Sequence, residues 1–174
     1  MYNKALVFAI EAHINQKRKD GKPYINHPIS VAIELAKNGA DDELISAGLL
    51  HDTIEDTTVS YDELKEEFGE GVAELVSGDT EDKKLSWKSR KKATIEFAKT
   101  TDNRRCQMLI CADKLSNLKD IKESIERCGD ETWSIFRYGK DEQAWLYTSL
   151  VDALKPLEDL TMYKELKQIV TEIF

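Results

Sequence analysis

Apolar residues recur at spacings of three and four almost throughout this sequence, and no stretch alternates apolar with polar residues between hairpin turns. The first pattern lays a stripe along one helix face, and without the second there are no strands from which to build a sheet. Eight glycines and three prolines in 174 residues leave long segments between breaks. A chain of that length supports one hydrophobic core. The expected fold is a single all-α domain over residues 1–174, with no repeat and no low-complexity linker.

Stop and start signals divide the pattern into helices. Leu6, Ala9, Ile10 and His13 share one face of a first helix. Pro28 suits the first turn of a second, with Ile29, Ala32, Ile33 and Ala36 inward and Gly39 as its stop. Asp41 or Asp42 caps a third, in which Leu44, Ala47, Leu50 and His51 form a stripe. Ser60 with Glu63 reads as a capping box for a fourth that ends near Gly69, and Val72, Leu75 and Val76 belong to a short fifth. Two further helices span 86–99 and 104–118. The tail is expected to hold one helix from about 131 to 154 and another over about 157–174, where Met162, Leu166, Ile169 and Ile173 recur.

Charge narrows what such a bundle can bind. The net charge of −8 and a pI near 5.0 exclude a sequence-independent nucleic-acid coat. No apolar run reaches 18 residues, so no membrane span is expected, and the first residues lack a signal-peptide core, so the chain is expected in the cytoplasm. Cys106, Cys111 and Cys128 form no CxxC pair and read as reduced, mostly buried thiols. From Asp41 to Asp82 there are fifteen Asp or Glu and one Lys, a local −14, which leaves +6 for the rest. Residues 17–22 carry +3 and residues 81–92 carry +4. Such a chain can hold a cation in one place and an anion beside it.

Three histidines are available for chemistry. His51-Asp52-Thr53-Ile54-Glu55-Asp56 follows directly on apolar Ala47-Gly48-Leu49-Leu50, and on a helix it stacks His51 over Glu55 and Asp52 over Asp56. Polar groups beside a core need partners, and a divalent cation would satisfy imidazole and carboxylates together; an exposed acidic helix end is the plain alternative. His27 stands at a loop-helix junction held by Pro28. Asp113 follows the apolar run Met108-Leu109-Ile110-Cys111-Ala112, and Asn117 lies one turn further on the same face. His13, on the face of Leu6 and Ile10, reads as a structural histidine.

His, His-Asp and Asp on separate helices resemble the ligand set of the HD phosphohydrolase superfamily. The stretches Gln16 to Pro28, Gly48 to Thr57 and Ala112 to Leu118 resemble the hydrolase domain of RelA/SpoT proteins, and more closely the stand-alone small alarmone hydrolases, over about residues 5–155. The Glu55-Asp56 extension marks this branch. The resemblance implies a cytoplasmic, Mn²⁺-dependent hydrolase that removes the 3′-diphosphate from guanosine tetra- or pentaphosphate. By motif position His27, His51, Asp52 and Asp113 would hold the metal, Glu55 and Asp56 would be catalytic, and Arg18, Lys19 and Asn117 would contact the nucleotide. The implied partner is a small nucleotide, with no nucleic acid and no membrane; oligomeric state is left open. Beside the hydrolase, 174 residues leave no room for a synthetase domain.

The donor chemistry agrees with that assignment, since imidazoles and carboxylates suit Mn²⁺ and no cysteine lies in the motifs. Glu55 or Asp56 could accept a proton, and spacing does not choose between them. Lys114, Ser116 and Leu118 depart from the Ala-Asp-Arg-x-His-Asn-Met pattern of the long enzymes, which bears on base contacts. Two other readings stand beside this one: the same fold acting on another phosphorylated nucleotide, such as a nicotinamide dinucleotide 2′-phosphate, or a non-catalytic nucleotide-binding domain.

Overall fold

Asp41, Ser60, Ser86 and Asn103 each accept a backbone N–H from the first turn of the helix that follows. Side-chain oxygens thus satisfy donors that the helix itself leaves free. In chain order the computed structural model, which describes residues 1–136 and 138–174, contains α1 (Tyr2–Ala12), α2 (Asn26–Lys37), α3 (Asp42–Leu50), α4 (Thr53–Asp56), α5 (Tyr61–Phe68), α6 (Glu70–Asp79), α7 (Trp87–Thr100), α8 (Arg104–Cys128), α9 (Lys140–Ala153) and α10 (Thr161–Ile173). Segments of 3₁₀ helix at Gly129–Ile135 and Lys155–Leu157 join the last three. No strand forms among the described residues, and the fold is all-α; one antiparallel bridge pairs Lys17 with Pro23. No helix among the described residues is long and apolar enough to cross a membrane.

The centre of the molecule is α8. Its residues from Cys106 to Ala112 are buried on every face, a pattern stable only in a helix surrounded by others. It packs against α2, α3, α6, α7 and α10. Leu109, Leu115 and Leu118 are fully buried there beside Leu35, Leu49 and Leu50. Leu109→Ala is expected to cost about 2–5 kcal/mol through lost transfer energy and an unfilled cavity. Urea denaturation of the variant and the parent chain measures it.

Several inward faces differ from the expected ones. On α1 the fully buried residues are Ala5 and Ala9, while Ile10 is 43% exposed. This helix packs on α3, and small side chains let the two approach closely. On α2 the buried set is His27, Pro28, Val31, Ala32, Glu34 and Leu35; Ile33 and Ala36 face out. Burying His27 and Pro28 at its start turns the stripe by one residue. The helix from 104 runs ten residues past 118, to Cys128. The expected tail helix over 131–154 is broken: a 3₁₀ segment starts at Gly129, whose φ is +57°, and α9 begins only after Gly139. Cys106 and Cys111 are buried free thiols, and Cys128 is exposed.

Candidate metal centre and adjoining cavity

Three separate elements converge at one point. His27 is the second residue of α2, His51 and Asp52 form the turn between α3 and α4, and Asp113 lies in the middle of α8. The helices meet because α2 packs on both α3 and α8. At Gly48 the approach is close enough that a Cβ would come 2.7 Å from the Leu35 side chain. His51 and Asp52 therefore do not continue one helix into Glu55 and Asp56; α3 ends at Leu50 and a short α4 restarts at Thr53. That break carries Asp52 round to the same point as His51.

The Nε2 atoms of His27 and His51 are 3.2 Å apart. Asp52 Oδ2 lies 3.0 Å from His51 Nε2 and 3.6 Å from His27 Nε2; Asp113 Oδ1 lies 3.1 Å from His27 Nε2 and 3.8 Å from His51 Nε2. His51 Nδ1 stands 2.9 Å from the Gly48 carbonyl oxygen, which can only accept. Nδ1 therefore carries a proton, and in the neutral ring Nε2 presents its lone pair to the cluster. His27 Nδ1 is 3.0 Å from Ser116 Oγ, a contact that holds the ring with its Nε2 toward the cluster. Two imidazole nitrogens and two carboxylates then converge, a donor set that fits a divalent cation once the histidines shed their protons.

Electrostatics express the same demand. Burial lowers the His51 imidazole, but the charges of Asp52 and Asp113 overcome it and push it up to about 10. The centre thus keeps a proton that a metal ion would displace. Burial dominates at His27 and lowers it. Asp52 and Asp113 are both held below the ordinary carboxylate range despite burial, Asp52 by the two histidines and Asp113 by Lys114 and the histidines.

Glu55 and Asp56 line the same polar cavity of about 170 Å³ as His27, Asp52 and Asp113, but their surroundings differ. Asp56 Oδ2 accepts from Tyr24 Oη at 2.9 Å, and its Oδ1 pairs with Lys83. Tyr24 Oη also stands 2.7 Å from Asp52 Oδ2. Glu55 Oε2 accepts the Glu81 backbone N–H at 3.2 Å, while Oε1 is 3.7 Å from Arg90 Nη1. Burial raises the Glu55 carboxyl above its usual value; the Glu81 N–H opposes this, and the charges of Glu81, Asp52 and Asp56 reinforce it.

A second cavity of about 400 Å³ adjoins the first, and Arg18, Tyr24, Lys91, Lys114 and Asn117 line both. Asn117 Nδ2 donates to Asp113 Oδ1 at 2.6 Å, and its Oδ1 accepts from Arg18 Nη2 at 2.8 Å. Arg18 also donates to Asp120 Oδ2 at 2.8 Å. Lys19 lines only the larger cavity, with its ammonium 4.4 Å from the centroid of the Phe136 ring. His13 stays outside the cluster: its Nδ1 is 2.7 Å from Gln16 Oε1, and its ring stacks on Tyr24 with centroids 4.9 Å apart.

The sequence reading missed Asp79, Glu81 and Lys91, all of which line the polar cavity. Glu81 gathers Lys91 at 2.6 Å and Arg90 at 3.0 Å beside Glu55. These residues come from the end of α6, the loop after it and α7, and no local motif joins them. Only the net +4 over residues 81–92 pointed toward Glu81 and Lys91, and nothing local pointed to Asp79.

Residues 5–138 match the HD domain family. The guanosine-3′,5′-bis(diphosphate) 3′-pyrophosphohydrolase of Aquifex aeolicus is 42% identical over 139 residues, which are 76% of this chain and 20% of that protein. The chain thus spans about a fifth of that relative's length. The guanosine-3′,5′-bis(diphosphate) 3′-pyrophosphohydrolase MESH1 of Danio rerio is 45% identical over 134 residues, 75% of this chain and 72% of that protein. Among solved structures, lmo0812 from Listeria monocytogenes EGD-e superposes with a TM-score of 0.81 at 38% identity, over 85% of this chain and 98% of that one. A metazoan orthologue of SpoT that hydrolyses ppGpp superposes with a TM-score of 0.82 at 28% identity, over 98% of this chain and 94% of that one.

Proposed function

The chain belongs to the HD domain family, and from that membership we propose that it is a Mn²⁺-dependent hydrolase that removes the 3′-diphosphate of guanosine tetra- or pentaphosphate. The observation that carries this reading is the convergence of His27, His51, Asp52 and Asp113 beside Glu55, at the mouth of a cavity lined by cations. The names of the relatives support the substrate.

A bound divalent ion would be held by His27, His51, Asp52 and Asp113, and would supply a Lewis acid that polarises the phosphoryl group and acidifies water. The remaining work falls to the chain's own groups. Glu55 Oε1 takes the proton of the attacking water, because burial raises its carboxyl above the ordinary range and that oxygen accepts no hydrogen bond among the described residues. Asp56 is not free to take the proton, since Lys83 pairs with its Oδ1 and Tyr24 Oη stands on its Oδ2; it instead holds Tyr24 and, through it, Asp52. Water adds at the phosphorus next to the ribose, the bond to the 3′-oxygen breaks, that oxygen takes up the proton Glu55 accepted and becomes the ribose hydroxyl, and diphosphate departs with the water's oxygen. Arg18 and Lys91 face the charge that develops on the phosphate oxygens, and the larger cavity receives the nucleoside.

The test is a panel of nucleotides assayed for orthophosphate and diphosphate release with and without Mn²⁺. Diphosphate from guanosine tetraphosphate, dependent on the metal, supports the reading. Preference for a nicotinamide dinucleotide 2′-phosphate would reassign the substrate, and no turnover of any nucleotide would leave a binding domain.

Arg18 and Lys19 test the substrate independently of the metal. Losing a charge-assisted contact is expected to cost about 1.5–3 kcal/mol, a fall in kcat/KM of roughly 10- to 150-fold. Arg18→Ala and Lys19→Ala should show it on guanosine tetraphosphate and spare a singly phosphorylated nucleotide. Parent kinetics on both substrates would return the loop to solvent.

A further inference from the structure

Asp79 is the last residue of α6, and its Oδ1 is buried without a hydrogen-bond partner among the described residues. Leaving a carboxylate oxygen in that state is unfavourable unless something else compensates it. One of its oxygens, one His51 nitrogen and one Asp113 oxygen all lie within 4.8 Å of one another, and the side chain lines the polar cavity with Asp52. The placement follows from packing, since α6 rests on α3 and α8, the helices that lead to His51 and carry Asp113. The adjacent ammonium of Lys114 donates to Asp113 Oδ2 and leaves Asp79 Oδ1 unbonded.

We propose that Asp79 is a fifth donor of the metal centre, giving Oδ1 to the same ion as His27, His51, Asp52 and Asp113. The idea rests on the metal reading above and goes beyond the four motif positions. It explains an orphaned oxygen that no side chain among the described residues satisfies. Two imidazoles with three carboxylates form a hard, oxygen-rich set of five, which exceeds the four-coordinate sites that zinc favours. Asp79 is therefore a selectivity residue for ions that take more oxygen ligands.

The experiment titrates metal-free parent protein, Asp79→Asn and Asp79→Leu with Mn²⁺, reading free Mn²⁺ by its paramagnetic resonance signal, and repeats the titration with Zn²⁺. Thermal melting of the three metal-free proteins runs alongside. The expected result is a loss of Mn²⁺ affinity of at least 10-fold in both variants, a smaller loss for Zn²⁺, and metal-free melting at or above the parent's temperature. The last point follows because each change removes one of several crowded carboxylates. Unchanged Mn²⁺ affinity in both variants would overturn the assignment and leave the four-residue centre standing. Lower metal-free melting with parent affinity would make Asp79 structural and overturn it as well. A parent protein that binds no Mn²⁺ would sink the metal reading itself.

Discussion

Replacing His51 or Asp52 with alanine is expected to abolish both metal binding and hydrolysis. Each supplies a donor atom to the cluster, and the two stand 3.0 Å apart in the turn between α3 and α4. Their loss also unbalances what remains. Without His51, half-buried Asp52 and buried Asp113 would be deprived of the imidazole that lies within 4 Å of both. The parent protein should bind close to one divalent ion, with an affinity that falls as the pH drops, because the donors must shed protons before they coordinate. Elemental analysis and Mn²⁺ titration of parent and variants check this. Substantial turnover in a His51→Ala protein that holds no metal would contradict it.

Glu55→Gln is expected to keep the metal and lower kcat by roughly 10²–10⁴-fold, the usual worth of a lost general base. Glu55 must be ionised to accept a proton, and its carboxyl is raised by burial. Activity at saturating metal should therefore fall as pH drops through a value above the ordinary glutamate range, and that acid limb should vanish in the variant. Asp56→Asn should have a milder effect on the proton step, since Tyr24 and Lys83 already engage Asp56. A Glu55→Gln enzyme with parent kcat and pH profile would remove Glu55 from the chemistry.

The parts of the fold that local chemistry determines were readable in the chain. Asp41 and Ser60 cap the helices they were expected to cap, and Gly39 and Gly69 take the positive φ that lets a helix stop. Apolar period marked where helices lie, but not which face turns inward. On α1 and α2 the buried stripe was decided by close packing and by the need to seat His27, so Ile10 and Ile33 stayed outside. The 3₁₀ break after α8 overrode a continuous apolar pattern, although Gly129 and Gly139 stood at its two ends.

The candidate site shows the same division. His27, His51, Asp52 and Asp113 occupy motif positions, so their meeting was foreseeable. The break at His51-Asp52 was not, because the sequence there would equally continue a helix. Glu81 and Asp79 reach the cavity only through the packing of α6 and α7 on the rest, and a buried orphan oxygen has no signature along a chain. Lys19, adjacent in sequence to Arg18, turns to the larger cavity and Phe136, a division of the basic loop that its sequence does not show.

The most direct test of the account is the identity of the phosphorus products. Guanosine tetraphosphate incubated with the protein and Mn²⁺, followed by phosphorus-31 resonance, should yield inorganic diphosphate and guanosine diphosphate in equal amounts, with no signal change when the metal is chelated. Release of orthophosphate, or diphosphate formation that persists without any divalent metal, would contradict it.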